Sequence, residues 1–128
     1  MRYLLDTCTL LWLARGDRAL PQRVRDTLSK PGIAVTVSTA SGWEIAIKHG
    51  LGRLPLPVPL AQFLPDVRAR YALDSLPIDE ESALHVAKLP SLHADPFDRM
   101  LVSQAIVHGL TIVTPDPLVT QYPARTLW

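Results

Sequence analysis

The alternation of short apolar runs with helical patterns constrains the fold of this chain more than any other feature. Apolar runs that suit buried strands lie at 2–6, 33–38, 73–78 and 110–114. Helical patterns lie at 7–14, 21–29, 40–50, 80–89 and 96–108, and the proline-studded segment 54–65 is expected to be a loop leading into a helix at 67–71. Such alternation is typical of βαβ units, whose strands form a parallel sheet. The sequence therefore predicts an α/β fold with a parallel sheet.

Length and composition indicate one domain. The chain has 128 residues, of which 48% are hydrophobic, which suffices for one core and is short for two. The lone cysteine, Cys8, cannot form an intrachain disulfide, and Asp6 precedes any long apolar run, which argues against a signal peptide. No uncharged apolar stretch reaches the roughly 20 residues of a membrane-spanning helix. We therefore expect a single cytoplasmic domain, residues 1–128, with no membrane contact. The net charge of +1 does not by itself indicate a nucleic-acid binder.

Two acids follow strands that are far apart in the sequence. Asp6 ends the first apolar run, and Asp116 comes just after the last one. Because ligands of open α/β sheets bind at the carboxyl ends of the strands, both acids are expected at the same edge. The alternative is that each is only a helix N-cap or a turn residue, which their contexts Asp6-Thr7 and Asp116-Pro117 equally allow.

Asp98 lies on an apolar helix face. In a helix over 96–108 it shares that face with Leu101, Val102 and Ala105, which are expected to point inward. A buried carboxylate needs a partner, which could be a bound cation, a basic side chain or the amides of the helix N-terminus. Asp95 is suited to be the N-cap of this helix, which would leave Asp98 free for chemistry.

Glu44 is a fourth candidate, within the stretch SGWEIAIKHG. The pattern equally allows an exposed i, i+4 ion pair with Lys48. Ser41, one turn earlier, is placed to contact either this glutamate or a metal-bound water. Four carboxylates without cysteine or histidine would suit Mg²⁺ or Mn²⁺ rather than zinc. Such a metal lowers the pKa of a bound water and can support phosphodiester hydrolysis.

Several segments together resemble a known family. LLDT at 4–7, VSTASGWEIAIKHGLGRL at 37–54, HADPFDRMLVSQA at 93–105, TIVTPD at 111–116 and the closing TLW are similar to the PIN-domain nucleases, in particular the VapC-type toxins of bacterial toxin-antitoxin pairs. The resemblance covers essentially the whole chain in order. It implies a three-layer α/β/α sandwich with a central parallel sheet, endoribonuclease activity dependent on Mg²⁺ or Mn²⁺, a homodimer, and inhibition by a cognate antitoxin protein.

The resemblance also assigns residues. The family's four acids, which act as catalytic and metal-binding residues, fall on Asp6, Glu44, Asp98 and Asp116. Supporting positions fall on Thr7, beside the first acid, and on Thr114, after the last strand. Asp95 belongs to the DPFDR element of this subgroup, where it is either a ligand or a structural cap.

For several basic, aromatic and sulfur-containing side chains, a structural role is an alternative to a functional one. Contact with the RNA backbone is considered for Lys48, Arg53 and Arg99, although surface solvation suits the first two equally and a bridge to Asp95 is favoured for Arg99. Neither His93 nor His108 is expected to be a general base. The three tryptophans, Trp12, Trp43 and Trp128, are expected in the core or at a dimer contact. Cys8 is expected to pack near Asp6.

Two other functions fit parts of the pattern. A receiver-type phospho-acceptor domain also gathers acids at the edge of a parallel sheet, but it would need adjacent acids after the first strand and a lysine after the last. Here Thr7 follows Asp6, and TIVTPD supplies an acid. A non-catalytic PIN-fold module that only binds a partner is the second alternative. The sequence does not indicate which RNA would be cleaved, because specificity depends on the shape of the groove.

Overall fold

The computed structural model describes residues 1–128 as a five-stranded sheet with helices between the strands. The strands are β1 (Arg2–Leu5), β2 (Ala34–Ser38), β3 (Asp74–Leu76), β4 (Thr111–Val113) and β5 (Thr126–Leu127). The helices are α1 (Thr7–Arg15), α2 (Gln22–Leu28), α3 (Thr39–Gly50), α4 (Leu60–Tyr71), α5 (Glu80–His85), α6 (Pro96–His108) and α7 (Pro117–Thr120), and a 3₁₀ turn spans Val86–Lys88. All neighbouring strands are parallel, in the order β3-β2-β1-β4-β5. The predicted α/β fold with a parallel sheet is confirmed.

Side chains alternate between two cores on opposite faces of the sheet. In β1, Tyr3 and Leu5 belong to a core that also contains Leu10, Val24, Ile45, Phe63 and Val67 from helices α1 to α4. Leu4 belongs to the other core, together with Leu101, Val102 and Ala105 of α6. Successive residues of a strand point to opposite faces, so a strand buried on both sides is apolar throughout. This arrangement confirms the three-layer sandwich.

The central strand β1 fixes the position of the functional site. It pairs with β2 on one side and with β4 on the other, and the chain winds outward in both directions from this point. Crossovers on opposite faces leave a crevice at the carboxyl ends of the two strands where the winding reverses. Asp6 directly follows β1, and Thr114 directly follows β4. The crevice therefore opens between the residues that come after these two strands.

Helix α6 begins and ends at residues that favour a helix boundary. Asp95 is its N-cap, Pro96 occupies the first turn, and Gly109 ends it in the left-handed conformation with φ 67°. The predicted bounds of 96–108 are confirmed, as is the capping role of Asp95.

The structure differs from the sequence prediction in three places. Helix α4 begins at Leu60, inside the segment expected to be a loop, and includes Pro65. Burial of Phe63 and Val67 in the core stabilises it, because tertiary packing can override a weak local propensity. The helix predicted at 80–89 is divided into α5 and the 3₁₀ turn, and the short elements α7 and β5 were not predicted.

No helix of the structure combines the length and apolar character needed to cross a membrane.

Candidate metal centre

Asp6 lies where β1 passes into α1. It is buried, and its Oδ1 accepts a hydrogen bond of 2.8 Å from the backbone N–H of Thr9, which makes it the N-cap of α1. Cys8 Sγ donates to the same oxygen at 3.2 Å. The predicted packing of Cys8 beside Asp6 is confirmed, and its thiol pKa is raised to about 12 by burial and by the Asp6 charge. Because these hydrogen bonds all go to Oδ1, the other oxygen of Asp6 is left for the cleft.

Glu44 presents a buried carboxylate from α3. The residue is only 4% exposed. Its Oε2 lies 2.5 Å from Lys48 Nζ, and this hydrogen bond raises the pKa of Lys48. Glu44 Oε1 is buried without any hydrogen-bond partner. The predicted pair with Lys48 is therefore present, but the expectation that the pair is exposed is wrong for Glu44, because its carboxylate points into the fold. A buried carboxylate oxygen without a partner is costly, and either a hydrogen-bond donor or a cation can compensate it.

Asp95 and Asp98 have different roles at the start of α6. Asp95 Oδ1 accepts hydrogen bonds from the backbone N–H groups of Phe97 at 2.8 Å and Asp98 at 3.4 Å. The Asp98 side chain, 19% exposed, is thus free of capping and turns toward the cleft. Burial, followed by the nearby charge of Asp95, raises the pKa of Asp98 to about 7. The ionised form of Asp98 is consequently unfavourable unless a positive charge is nearby.

Asp116 reaches the cleft from the loop after β4. Its backbone N–H donates to Thr114 Oγ1 at 3.1 Å, and its Oδ1 accepts from the backbone N–H of Leu118 at 2.9 Å as the N-cap of α7. Thr114 is buried and fixes the turn between β4 and Asp116. The N-cap alternative considered for Asp6 and Asp116 is thus correct in geometry, and it coexists with a place in the cleft.

The structure brings the four predicted acids into one cleft of about 210 Å³. It is lined by Asp6, Thr7, Cys8, Leu11, Glu44, Lys48, Asp95, Asp98 and Asp116. Behind this lining, the buried hydroxyl of Thr7 donates to Ser41 Oγ at 3.0 Å and ties α1 to α3. A cleft of carboxylates with Lys48 as its only basic residue, and with an unpaired buried oxygen on Glu44, has the donor set that a divalent cation with oxygen ligands requires. The residues present fit such a cation.

His93 is the residue of this centre that the sequence did not indicate. Its Nε2 lies 3.0 Å from Asp98 Oδ2 and 3.3 Å from Asp116 Oδ2. The three side chains offer ligand atoms that all lie within 4.8 Å of one another. The signal in the sequence is only a histidine two residues before Asp95, which is indistinguishable from an ordinary loop residue.

Two of the predicted basic contacts lie elsewhere. Arg99 makes no ion pair with Asp95, so the favoured bridge is wrong. Its guanidinium instead donates to the carbonyls of Pro90 at 2.9 Å and Val86 at 3.1 Å, and to Tyr122 Oη at 3.1 Å. These carbonyls, one in the 3₁₀ turn and one in the loop before α6, direct Arg99 away from the acids of the cleft. Arg53 lies in the turn after α3 and does not line the cleft. Only Lys48 of the three basic candidates reaches it.

The tryptophans fall into two environments. Trp12 and Trp128 pack against each other with ring centroids 5.7 Å apart and join the edge of the core. Trp43 is 60% exposed and meets Phe97 edge to face at 5.0 Å, so a core position for Trp43 is wrong. Each ring belongs to the residue immediately before a cleft acid, Glu44 or Asp98, and both rings line an apolar groove rather than the cleft itself.

A family model and a curated protein both match this chain in sequence. A family model described as the PIN domain matches residues 3–123. Ribonuclease VapC16 of Mycobacterium tuberculosis is 38% identical over 68 residues, which cover 53% of this chain and 43% of that protein. The chain thus aligns with less than half the length of this curated relative.

Solved structures share the fold at low sequence identity. VapBC2 from Rickettsia felis, crystallised with a DNA fragment from its promoter, matches with a TM-score of 0.75 and 16% identity, covering 99% of this chain and 98% of that chain. VapBC-1 from nontypeable Haemophilus influenzae matches with a TM-score of 0.64 and 17% identity, covering 99% and 97%. At these identities the similarity shows the fold alone.

Proposed function

This chain belongs to the PIN domain family, and from that premise we propose that it is a metal-dependent endoribonuclease, the toxin of a toxin-antitoxin pair. The observation that carries the proposal is the buried, unpaired Oε1 of Glu44 in a cleft that also holds Asp6, Asp98 and Asp116. Such a cluster is unfavourable without a cation. Family membership leaves the receiver-type alternative without support.

Asp6, Glu44, Asp98 and Asp116 would hold Mg²⁺ or Mn²⁺ in this cleft. When bound, such a metal supplies a water of lowered pKa and neutralises charge that develops on a phosphodiester. The chain's own part is to orient the carboxylates. Backbone N–H groups at the N-termini of α1 and α7 fix one oxygen of Asp6 and one of Asp116, and Lys48 fixes one oxygen of Glu44. The remaining oxygens of Asp6 and Glu44 are left for a cation, whereas the remaining oxygen of Asp116, Oδ2, also faces His93 Nε2 at 3.3 Å.

RNA is the proposed substrate. The support is the ribonuclease name of the Mycobacterium tuberculosis relative, together with the position of Lys48, whose side chain is half exposed at the edge of the cleft. A basic group there would attract a phosphate of the RNA backbone, whereas a cleft of acids alone would repel it. Arg53 and Arg99 play no part in this proposal, because neither lines the cleft.

A cognate antitoxin and a second copy of the chain are the proposed protein partners. Two of the solved structures that share this fold are named VapBC2 and VapBC-1, which supports an antitoxin here. The exposed Trp43 and the apolar residues around it offer surface for a protein contact beside the cleft. The alternative of a non-catalytic module predicts the same contacts without cleavage.

An RNA cleavage assay with mapped ends tests the activity. Purified protein, freed of antitoxin, is incubated with RNA in Mg²⁺, Mn²⁺ or EDTA, alongside Asp6→Asn and Asp98→Asn. The matched control is Glu81→Gln, which removes an exposed acid of α5 outside the cleft. We expect metal-dependent cleavage by the wild type and the control, and loss in both cleft variants. Cleavage in EDTA, or undiminished cleavage by both cleft variants, contradicts the proposal; no cleavage by any protein favours the binding module.

A further inference from the structure

His93 lies between two acids that come from different parts of the chain. Its Nε2 contacts Asp98 Oδ2 on α6 and Asp116 Oδ2 after β4, at 3.0 and 3.3 Å. No other side chain that could donate a hydrogen bond contacts these two carboxylates together. The imidazole therefore joins helix α6 to the loop after β4, and these two segments form one wall of the cleft.

The other ring nitrogen determines which atom carries the proton. The backbone N–H of Asp95 donates to His93 Nδ1 at 3.1 Å, so Nδ1 is an acceptor and has no proton. In a neutral imidazole with an unprotonated Nδ1, the proton is on Nε2. His93 Nε2–H accordingly donates to the carboxylates of Asp98 and Asp116. For Nε2 to bind a metal, its proton would have to move to Nδ1, where it would face the Asp95 N–H.

The histidine is held in place by residues outside the cleft. Its own backbone N–H donates to Tyr122 Oη at 2.9 Å, and the same oxygen accepts from Arg99 Nη1 at 3.1 Å. Arg99 also donates to the carbonyls of Val86, in the 3₁₀ turn, and Pro90, in the loop that contains His93. A side chain with only 14% exposure, supported at the ring and at the backbone, has little freedom to turn away.

We propose that His93 is a positioning residue, which acts as a hydrogen-bond donor that spaces the Asp98 and Asp116 carboxylates for a divalent cation, and is not itself a ligand. This inference rests on the proposed metal-dependent function. Hydrogen bonds to ligating carboxylates fix their orientation, and removal of such a partner typically weakens metal affinity about 10- to 100-fold. His93 differs from the usual supporting residue in contacting two acids at once.

The tautomer of His93 is the first test. In ¹⁵N-labelled wild-type protein at pH 8, long-range nitrogen-proton correlation spectra distinguish a protonated Nε2 from a protonated Nδ1. We expect the Nε2–H form in EDTA and again in saturating Mg²⁺. A shift to the Nδ1–H form on addition of Mg²⁺ would show that Nε2 ligates the metal and would overturn the inference.

Two substitutions of His93 separate its two nitrogen positions. In His93→Asn the side-chain oxygen can replace Nδ1 as acceptor for the Asp95 N–H, but nothing reaches the carboxylates. In His93→Gln the side-chain amide can reach the position of Nε2 and donate to them. Mn²⁺ affinity is measured for both variants and the wild type by electron paramagnetic resonance, with thermal unfolding in EDTA as the check on folding.

We expect Mn²⁺ affinity about 10- to 100-fold weaker in His93→Asn and within about threefold of wild type in His93→Gln. Equal affinities for the wild type and the asparagine variant contradict the inference, and so does equal loss in both variants, which would indicate a ligand or a purely structural role. If the asparagine variant does not fold, the Mn²⁺ affinity of His93→Gln and the tautomer of His93 in the wild type test the inference. Mn²⁺ binding without RNA cleavage removes the proposed function and keeps the role of His93, whereas no Mn²⁺ binding by the wild type overturns both.

Discussion

Lys48 Nζ lies 2.5 Å from one oxygen of Glu44, while the other oxygen of the same carboxylate is buried with no partner. The lysine is half exposed and the glutamate is buried, so the pair stands at the boundary between solvent and the fold. The ammonium group of Lys48 therefore pairs with only one of the two carboxylate oxygens of Glu44. Lys48 thus compensates the charge at the exposed side of this carboxylate, and the buried oxygen is where we propose that a cation binds.

Replacement of Lys48 by methionine is expected to destabilise the metal-free protein by about 1–2 kcal/mol. The substitution leaves a buried carboxylate without its partner, and the half-exposed position of the lysine moderates the several kcal/mol that a fully buried pair would lose. Urea unfolding in EDTA measures the free energy of unfolding. Lys30→Met, which removes an exposed lysine without an ion pair, is the matched control. Equal losses in both variants would show that Lys48 does not compensate Glu44.

Asp98 gives a pH dependence whose sign follows from its raised pKa. The folded pKa of about 7 lies above the unfolded value of about 3.9, so the folded state binds more protons between these values and its stability falls as pH rises from about 4 to 7. Asp98→Asn removes this loss. In EDTA at pH 8 we expect the variant to be more stable than the wild type by about 2–4 kcal/mol, with the advantage declining to nothing near pH 4.

Denaturant unfolding at several pH values, with and without Mg²⁺, measures this effect. Asp66→Asn, which replaces an exposed acid of α4 with no hydrogen-bond partner, is the control and should not show the gain in stability expected for Asp98→Asn. Saturating Mg²⁺ should stabilise the wild type and not Asp98→Asn, since a ligand that binds only the folded state shifts unfolding by mass action. A wild type whose stability rises between pH 4 and 7 in EDTA relative to Asp98→Asn would refute the assignment of Asp98 as a strained acid.

Cys8 reports on Asp6 through its reactivity. With a pKa of about 12 the folded thiol is almost entirely protonated at pH 8, so alkylation by iodoacetamide in EDTA should be about a thousandfold slower than in the unfolded chain. Asp6→Asn removes the second-largest cause of the shift and should accelerate the reaction in the folded protein. Mass spectrometry follows the modification without ambiguity because the chain has one cysteine. Equal rates in the folded and unfolded protein would place Cys8 in solvent.

The sequence predicted the fold better than it predicted the site. The sequence predicts β1 and α6 correctly because the features that mark them are local. A continuous apolar run marks the buried strand, and a 3.6-residue apolar pattern with a cap marks the helix. Asp6 and Asp98 were indicated by their places on those two elements. The pattern left Glu44 and Asp116 ambiguous, and the family resemblance supplied them.

The features of the site that the sequence did not indicate depend on contacts between residues that are distant in the sequence. His93 has no local feature that marks it, since its position is fixed by Asp95, by Tyr122, 29 residues later, and by Asp116 across the cleft. The bridge predicted between Arg99 and Asp95 is wrong for the same reason. A neighbouring acid in the sequence is a poor predictor of the partner of a long side chain when backbone carbonyls of a folded loop lie within its reach.

Arg99 is expected to hold the segment 86–93 in place. Arg99 donates to the carbonyls of Pro90 and Val86 and to Tyr122 Oη with two nitrogens, a fork that lysine cannot reproduce. Arg99→Lys is therefore expected to lower the free energy of unfolding by about 1–3 kcal/mol. It should also accelerate backbone amide exchange in residues 86–93 more than in the core of α6. Hydrogen exchange detected by mass spectrometry measures both regions, and Arg23→Lys, an exposed arginine of α2, is the control. If exchange in 86–93 stays unchanged, the loop is held by other contacts, and Arg99 does not support the position of His93.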